Sequence, residues 1–173
     1  MRNVESKFRC PDHERVASTA VELGARDAGV MQQHDQFYAV PTGRLKLRRF
    51  GDSPGELISY NRANVPEART SEYALHRTTD AASLDEVLSR ALPRLESLAK
   101  TRHLLIHRNT RIHLDDVAGL GRFIELETVI QGQSEAEAER EHEDIVSALG
   151  LSNAERIAVG YIDLLTQQNP IRS

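Results

Sequence analysis

Short runs in which charged and apolar residues alternate recur along this chain, and their charged members are the types that handle phosphate and hard metal ions. Asn3, Glu5 and Lys7 alternate with Val4, Ser6 and Phe8. Arg44, Lys46 and Arg48 alternate with Leu45 and Leu47. Lys100 and Arg102 share one parity, and Arg62 follows in step with Tyr60. Arg111, His113 and Asp115 alternate with Ile112 and Leu114, and Glu125 and Glu127 with Ile124 and Leu126. Lysine and arginine hold phosphate oxygens by charge-assisted hydrogen bonds. Carboxylates hold Mg2+ or Mn2+, which favour oxygen ligands. A triphosphate carrying a divalent cation calls for both sets at once, with Glu5, Glu125 and Glu127 as metal ligands.

A strand sends alternate side chains to opposite faces, so each run reads as a strand with an ionic and an apolar face. Eight strands are predicted, over 3–8, 29–38, 44–50, 56–62, 69–78, 98–107, 110–117 and 122–130. Gly43, Gly51 to Gly55, and Asn64-Val-Pro66 are turn signals between them, and short connections imply antiparallel neighbours. Helices are expected after Pro11-Asp12 up to Gly24, from a Ser83/Glu86 capping box, from a Ser134/Glu137 box up to Gly150, and from Ser152/Glu155 towards Leu165. Two architectures suit this pattern. One is a half-exposed sheet with a solvated outer face. The other is a closed sheet whose ionic faces line its interior, with helices over the apolar faces. The crowding of cations on strands three and six, and of carboxylates on strand eight, favours closure. The fold class is therefore α+β, with eight antiparallel strands in a strongly curved sheet or a closed barrel and covering helices, as one domain over residues 1–173.

At 173 residues the chain can bury a real core, and 39% hydrophobic with 28% charged residues is the composition of a globular protein. No apolar run reaches membrane-spanning length and no signal peptide is evident, which predicts a cytoplasmic protein that binds no membrane. A net charge of −4 argues against nucleic acid as a partner. The Arg44–Arg49 cluster inside an acidic protein points instead to a compact anion. Cys10, alone, reads as a packing residue. His103 and His107 lie roughly 13 Å apart along a strand and cannot close on one zinc ion. His113 reads as a lining or structural residue rather than a proton shuttle, and Asp35 and Tyr38 as packing and turn residues. Gly119-Leu-Gly121 reads as a hairpin turn, and residues 135–144 as a solvated helix face.

Taken in order, the segments resemble the CYTH family of triphosphate tunnel enzymes, most closely its class IV adenylyl cyclase branch. The opening strand is Asn3-Val-Glu5-Ser-Lys7, where the family has Glu-x-Glu-x-Lys. Gln33-His-Asp35-Gln-Phe-Tyr38, Gly43-Arg-Leu-Lys46-Leu-Arg48, Arg69-Thr-Ser71-Glu-Tyr73 and Lys100-Thr-Arg102 follow. The most specific block is Ile112-His-Leu-Asp115-Asp-Val117-Ala-Gly-Leu-Gly121-Arg-Phe123-Ile-Glu125-Leu-Glu127, and the ending Val159-Gly-Tyr161-Ile-Asp-Leu-Leu165 also fits. The resemblance implies a tunnel that binds a nucleoside triphosphate or polyphosphate with Mg2+ or Mn2+. It implies metal ligation by Glu5, Glu125 and Glu127, with Asp115 added. Lys7, Lys100 and Arg102 become the catalytic candidates, and Lys46, Arg48, Arg62 and Arg111 the phosphate-binding ones. In the cyclase branch ATP yields cyclic AMP and pyrophosphate, and the branch suggests a homodimer. Hydrolysis of tripolyphosphate or an organic triphosphate, and binding without turnover, are the alternatives. Asn3 stands where the family has a glutamate, and Asn61 where the branch often has a lysine before the arginine.

Overall fold

The structure, a computed structural model, describes residues 2–10, 12–51, 54–61 and 69–168. Arg62 and the Asn64-Val-Pro66 turn signal lie outside the described residues. Eight strands run β1 (Arg2–Arg9), β2 (Arg26–Tyr38), β3 (Arg44–Arg49), β4 (Gly55–Asn61), β5 (Arg69–Thr78), β6 (Arg94–His107), β7 (Thr110–Val117) and β8 (Gly121–Val129). Among the described residues two helices lie between strands, α1 (His13–Glu22) and α2 (Ala81–Ala91), and two follow the last strand, α3 (Glu135–Ala148) and α4 (Tyr161–Gln168). All strand pairs are antiparallel and the sheet closes in the order β1-β5-β4-β3-β2-β6-β7-β8, with β8 returning to β1. The closed alternative is thus the one adopted. None of the described helices is long and apolar enough to cross a membrane.

Closure turns the ionic face inward and leaves the apolar face to be covered from outside. Phe8, Leu105, Ile112, Leu114, Ile124 and Leu126 form one core with Val16 and Ala20 of α1 and with Ile145 and Val146 of α3. Tyr38 and Leu47 pack with Ala81, Leu84 and Leu88 of α2. A third cluster joins Phe37, Leu98, Val117, Leu120 and Phe123 to Ile157, Tyr161 and Ile162. Cys10 is buried, as its packing role requires. The Ser134/Glu137 box forms as expected: the Glu137 amide donates to Ser134 Oγ at 3.3 Å and the Ser134 amide to Glu137 Oε2 at 2.8 Å. Gly119-Leu-Gly121 is the β7–β8 turn.

Four expectations change, the first being that β6 begins at Arg94 rather than residue 98. Strand β2 begins at Arg26 rather than residue 29 because a bulge between Asp27 and Val30 absorbs Gly29, whose φ is 93°. The second helix is capped by Asp80, which accepts from the Ser83 amide at 3.0 Å, so Ser83 lies inside the first turn rather than at the cap. The last helix begins at Tyr161, not at Ser152. β5 pairs with β1 in register from Arg2 to Glu5, and among the described residues no named strand continues that side to the far end of β1. Residues 155–157 take that place: the Arg9 amide donates to Glu155 O at 3.2 Å and the Ile157 amide to Lys7 O at 2.8 Å. Satisfying those backbone groups outweighs a capping box in an exposed segment.

Leu126 is fully buried between barrel and helices. Leu126→Ala should lower the unfolding free energy by about 3 kcal/mol, read as a shift in urea midpoint at unchanged slope.

Candidate functional site

The barrel encloses a cavity of about 570 Å³. Its wall carries Lys7, Lys46, Arg48, Lys100, Arg102 and Arg111 together with Glu5, Glu125 and Glu127, so one space gathers every described candidate but Asp115.

Asp115 stands behind the wall as an anchor. Register places it opposite Arg102 on β6. Its Oδ1 accepts from Arg102 Nε at 2.6 Å. Its Oδ2 accepts from Arg102 Nη2 at 2.6 Å, from Lys100 Nζ at 2.9 Å and from the Tyr161 hydroxyl at 3.0 Å. Expected among the metal ligands, Asp115 is instead fully buried outside the cavity lining, with both oxygens engaged by donors of its own chain. Asp35 repeats the arrangement. It lies opposite Arg48 on β3 and takes Arg48 Nε at 2.8 Å, Arg48 Nη2 at 2.9 Å and Lys46 Nζ at 2.8 Å. Expected as a packing or turn residue, Asp35 is a buried counterion. Each aspartate balances one of two cations and leaves one positive charge facing the cavity. Spacing alone did not reveal this, because the pairing depends on which strand lies alongside.

The carboxylates occupy the opposite part of the ladder. Across β7, β8 and β1, His113, Glu125 and Lys7 form one row, and Arg111, Glu127 and Glu5 the next. Lys7 Nζ lies 3.2 Å from Glu125 Oε1, Arg102 Nη2 donates to Glu125 Oε2 at 2.8 Å, and Arg111 Nη1 lies 3.6 Å from Glu127 Oε2. Ligand atoms of His113, Glu125 and Glu127 all fall within 4.8 Å of one another, a spacing that suits one cation. Glu5 faces Glu127 directly but stands outside that trio. Among the described residues, three buried side-chain atoms lack a hydrogen-bond partner: Asn3 Oδ1, Gln33 Oε1 and His113 Nδ1. All three residues line the cavity, and unmade buried acceptors in a polar wall fit a charged ligand.

Tyr161, at the start of α4, enters the cavity wall from the chain's end. Lys7 Nζ lies 4.1 Å and Lys100 Nζ 5.1 Å from its ring centroid. The ring is therefore a lid over both ammonium groups, held edge-on against Phe123. A second concavity, of about 480 Å³, shares Tyr60 and Tyr73 with the cavity. These two face each other across β4 and β5.

Burial and neighbouring charge set the ionisation of this wall. Burial opposes ionisation of Asp115 and Asp35, yet Arg102 with Lys100, and Arg48 with Lys46, hold the two carboxyls well below the usual range. Burial likewise opposes ionisation of Glu125, and Lys7 and Arg102 overcome it. Burial and then the Arg102 guanidinium push the Lys100 ammonium down to about 7, against the pull of Asp115. Burial first, then Arg102, lowers His113 below the ordinary imidazole value, against the pull of Glu127.

The CYTH domain model matches residues 1–161. No curated protein matches the chain. Among solved structures, a protein of Pyrococcus horikoshii OT3 superposes with a TM-score of 0.83 at 20% identity, over 94% of this chain and 98% of that one. A candidate adenylate cyclase of Vibrio parahaemolyticus has a TM-score of 0.76 at 23% identity, over 95% and 97%. A candidate adenylyl cyclase of Hippeastrum, with a dominant triphosphatase activity, has 0.64 at 14%, over 97% and 96%. At these identities the likeness is one of fold.

Held below its ordinary value in the folded chain, Asp115 contributes stability that is present above the unfolded carboxyl pKa of about 3.9 and lost as pH falls towards its folded value. The unfolding free energy should therefore decline below about pH 4. Asp115→Asn should cost about 3 kcal/mol at pH 7 and flatten that decline. Urea unfolding across a pH series checks both; an unchanged acid limb would remove Asp115 from the account.

Proposed function

The chain belongs to the CYTH domain family, and we propose that it acts on a metal-bound triphosphate, converting ATP to cyclic AMP and pyrophosphate. The observation that carries this is the single cavity in which two Lys–Arg pairs face a carboxylate–imidazole cluster. Such an interior holds charges of both signs at close quarters. It suits cargo that is itself mixed, namely polyphosphate with a divalent cation, better than a bare anion or a bare metal.

The chain's own groups divide the work by position. Lys46 and Arg48 on β3, and Lys100 and Arg102 on β6, flank β2 and are pre-oriented by their aspartates, so they can bind phosphoryl oxygens without reorganising. Lys7 and Arg111 extend that track towards β8. The described residues hold no assignment for Arg62, which stays in the phosphate-binding set on the family motif alone. Glu125 and Glu127, with Glu5 opposite Glu127, would hold Mg2+ or Mn2+. The cation would neutralise phosphate charge and polarise a phosphoryl oxygen.

In cyclisation the ribose 3′-hydroxyl gives up its proton to water as its oxygen bonds to the α-phosphorus, the bond to the bridging oxygen breaks, and pyrophosphate departs with the charge. The cations on the wall stabilise that developing charge, and the enclosed track holds attacking and leaving oxygens in line. The Tyr60–Tyr73 pair beside the track offers aromatic surface for a nucleoside, which favours a nucleotide over inorganic tripolyphosphate.

Purified protein with ATP and Mn2+, followed for cyclic AMP, pyrophosphate and orthophosphate, tests the activity. Cyclic AMP with equal pyrophosphate is expected. Orthophosphate without cyclic AMP would reassign the chain as a hydrolase, and tight binding without product as a binder. Glu127→Ala should lower turnover by at least about 100-fold. Lys46→Ala and Arg102→Ala should each weaken tripolyphosphate binding by about 10-fold or more, with far smaller effects on inorganic phosphate. Equal losses for both anions in a calorimetric titration would argue against a shared track.

A further inference from the structure

We propose that His113 Nδ1 is a ligand of the same cation as Glu125 and Glu127, and that this nitrogen makes the site select Mn2+ over Mg2+. The inference rests on the reading of those two glutamates as metal ligands.

The geometry of His113 is hard to explain as packing. The residue is only 4% exposed. Its Nδ1 is buried and has no hydrogen-bond partner among the described residues. That atom lies 3.9 Å from Glu125 Oε2 and 3.8 Å from Glu127 Oε1. Both distances exceed those of a hydrogen bond, so a proton on Nδ1 would reach neither carboxylate. They do place three donor atoms around one point. The ladder fixes this: His113 pairs directly with Glu125, and Glu127 follows on the same face of β8.

His142 shows what a structural histidine of this fold looks like. It too is buried, yet Nε2 meets Ser6 Oγ at 2.7 Å and Nδ1 meets Thr128 Oγ1 at 3.0 Å. Both of its ring nitrogens are satisfied by neighbours. His113 instead turns an unmatched nitrogen towards two carboxylates inside the cavity.

The chemistry of the donor set then bears on the ion. Mg2+ demands oxygen ligands in near-ideal octahedral geometry and gives up water reluctantly. An imidazole nitrogen adds affinity for a first-row transition ion and little for Mg2+. Two carboxylates with one imidazole therefore favour Mn2+ where both ions compete.

The test uses the full chain with Mn2+ alone. Electron spin-echo modulation of bound Mn2+ should show nitrogen coupling, and the coupling should change on 15N-histidine labelling. This needs no variant. In His113→Gln the coupling should vanish, Mn2+ affinity should fall by about 10-fold or more, and Mg2+ affinity should change by less than about threefold. Bound Mn2+ without nitrogen coupling that is lost in Glu127→Gln would overturn the role of His113 and leave the carboxylate site intact. Equal loss of both ions in His113→Gln would overturn the selectivity. Mn2+ binding untouched by Glu127→Gln would overturn the metal assignment itself.

Discussion

A carboxylate shared between a lysine and an arginine is the contact on which this architecture depends. Two residues apart on one strand, Lys46 and Arg48 must point the same way, as must Lys100 and Arg102. Like charges so close could not be enclosed on their own. Asp35 and Asp115 solve the problem from the neighbouring strand, each opposite the arginine and within reach of the lysine. Only because these counterions are built in can the sheet curl its ionic face inward. The same contacts fix the cations in place, so the stabilising element and the binding element are one structure.

The rest follows from that inversion. A barrel with a charged interior has its apolar surface outside, and α1, α2 and α3 cover it in separate patches. The fourth helix differs. It arrives after a stretch that pairs with the end of β1, and that pairing aims Tyr161 at Asp115 and over two lysines. The edge of β1 beyond its register with β5 is thus used twice, once to satisfy backbone groups and once to position an aromatic lid. Breaking a shared aspartate should be felt in both fold and site, since removing one buried partner strands the others.

Much of this was legible in the residues. Strict alternation in Arg44–Arg48 and Arg111–Asp115 marks strands, and Ser134 with Glu137 marks a helix start whose bonds form as expected. The charged parities of β1, β3, β6 and β8 name most of the charged residues in the cavity wall. Less legible was Asp35, an ordinary residue until Arg48 lies beside it. His113 looked like lining, and its unmatched nitrogen exists only once Glu125 and Glu127 are its neighbours. The Ser152/Glu155 signal failed because long-range backbone bonds competed with a local cap.

The sequence by itself determined which side chains share a face, because a strand's two-residue period is local and needs no partner. It determined that cations crowd the third and sixth strands and carboxylates the eighth. The tertiary structure decided that these faces look inward and which charges meet. Register and closure link residues far apart in the chain, as Asp115 joins Tyr161 and Glu125 joins Lys7. Such pairings follow from strand order, and strand order is set by packing across the whole barrel rather than by any one segment.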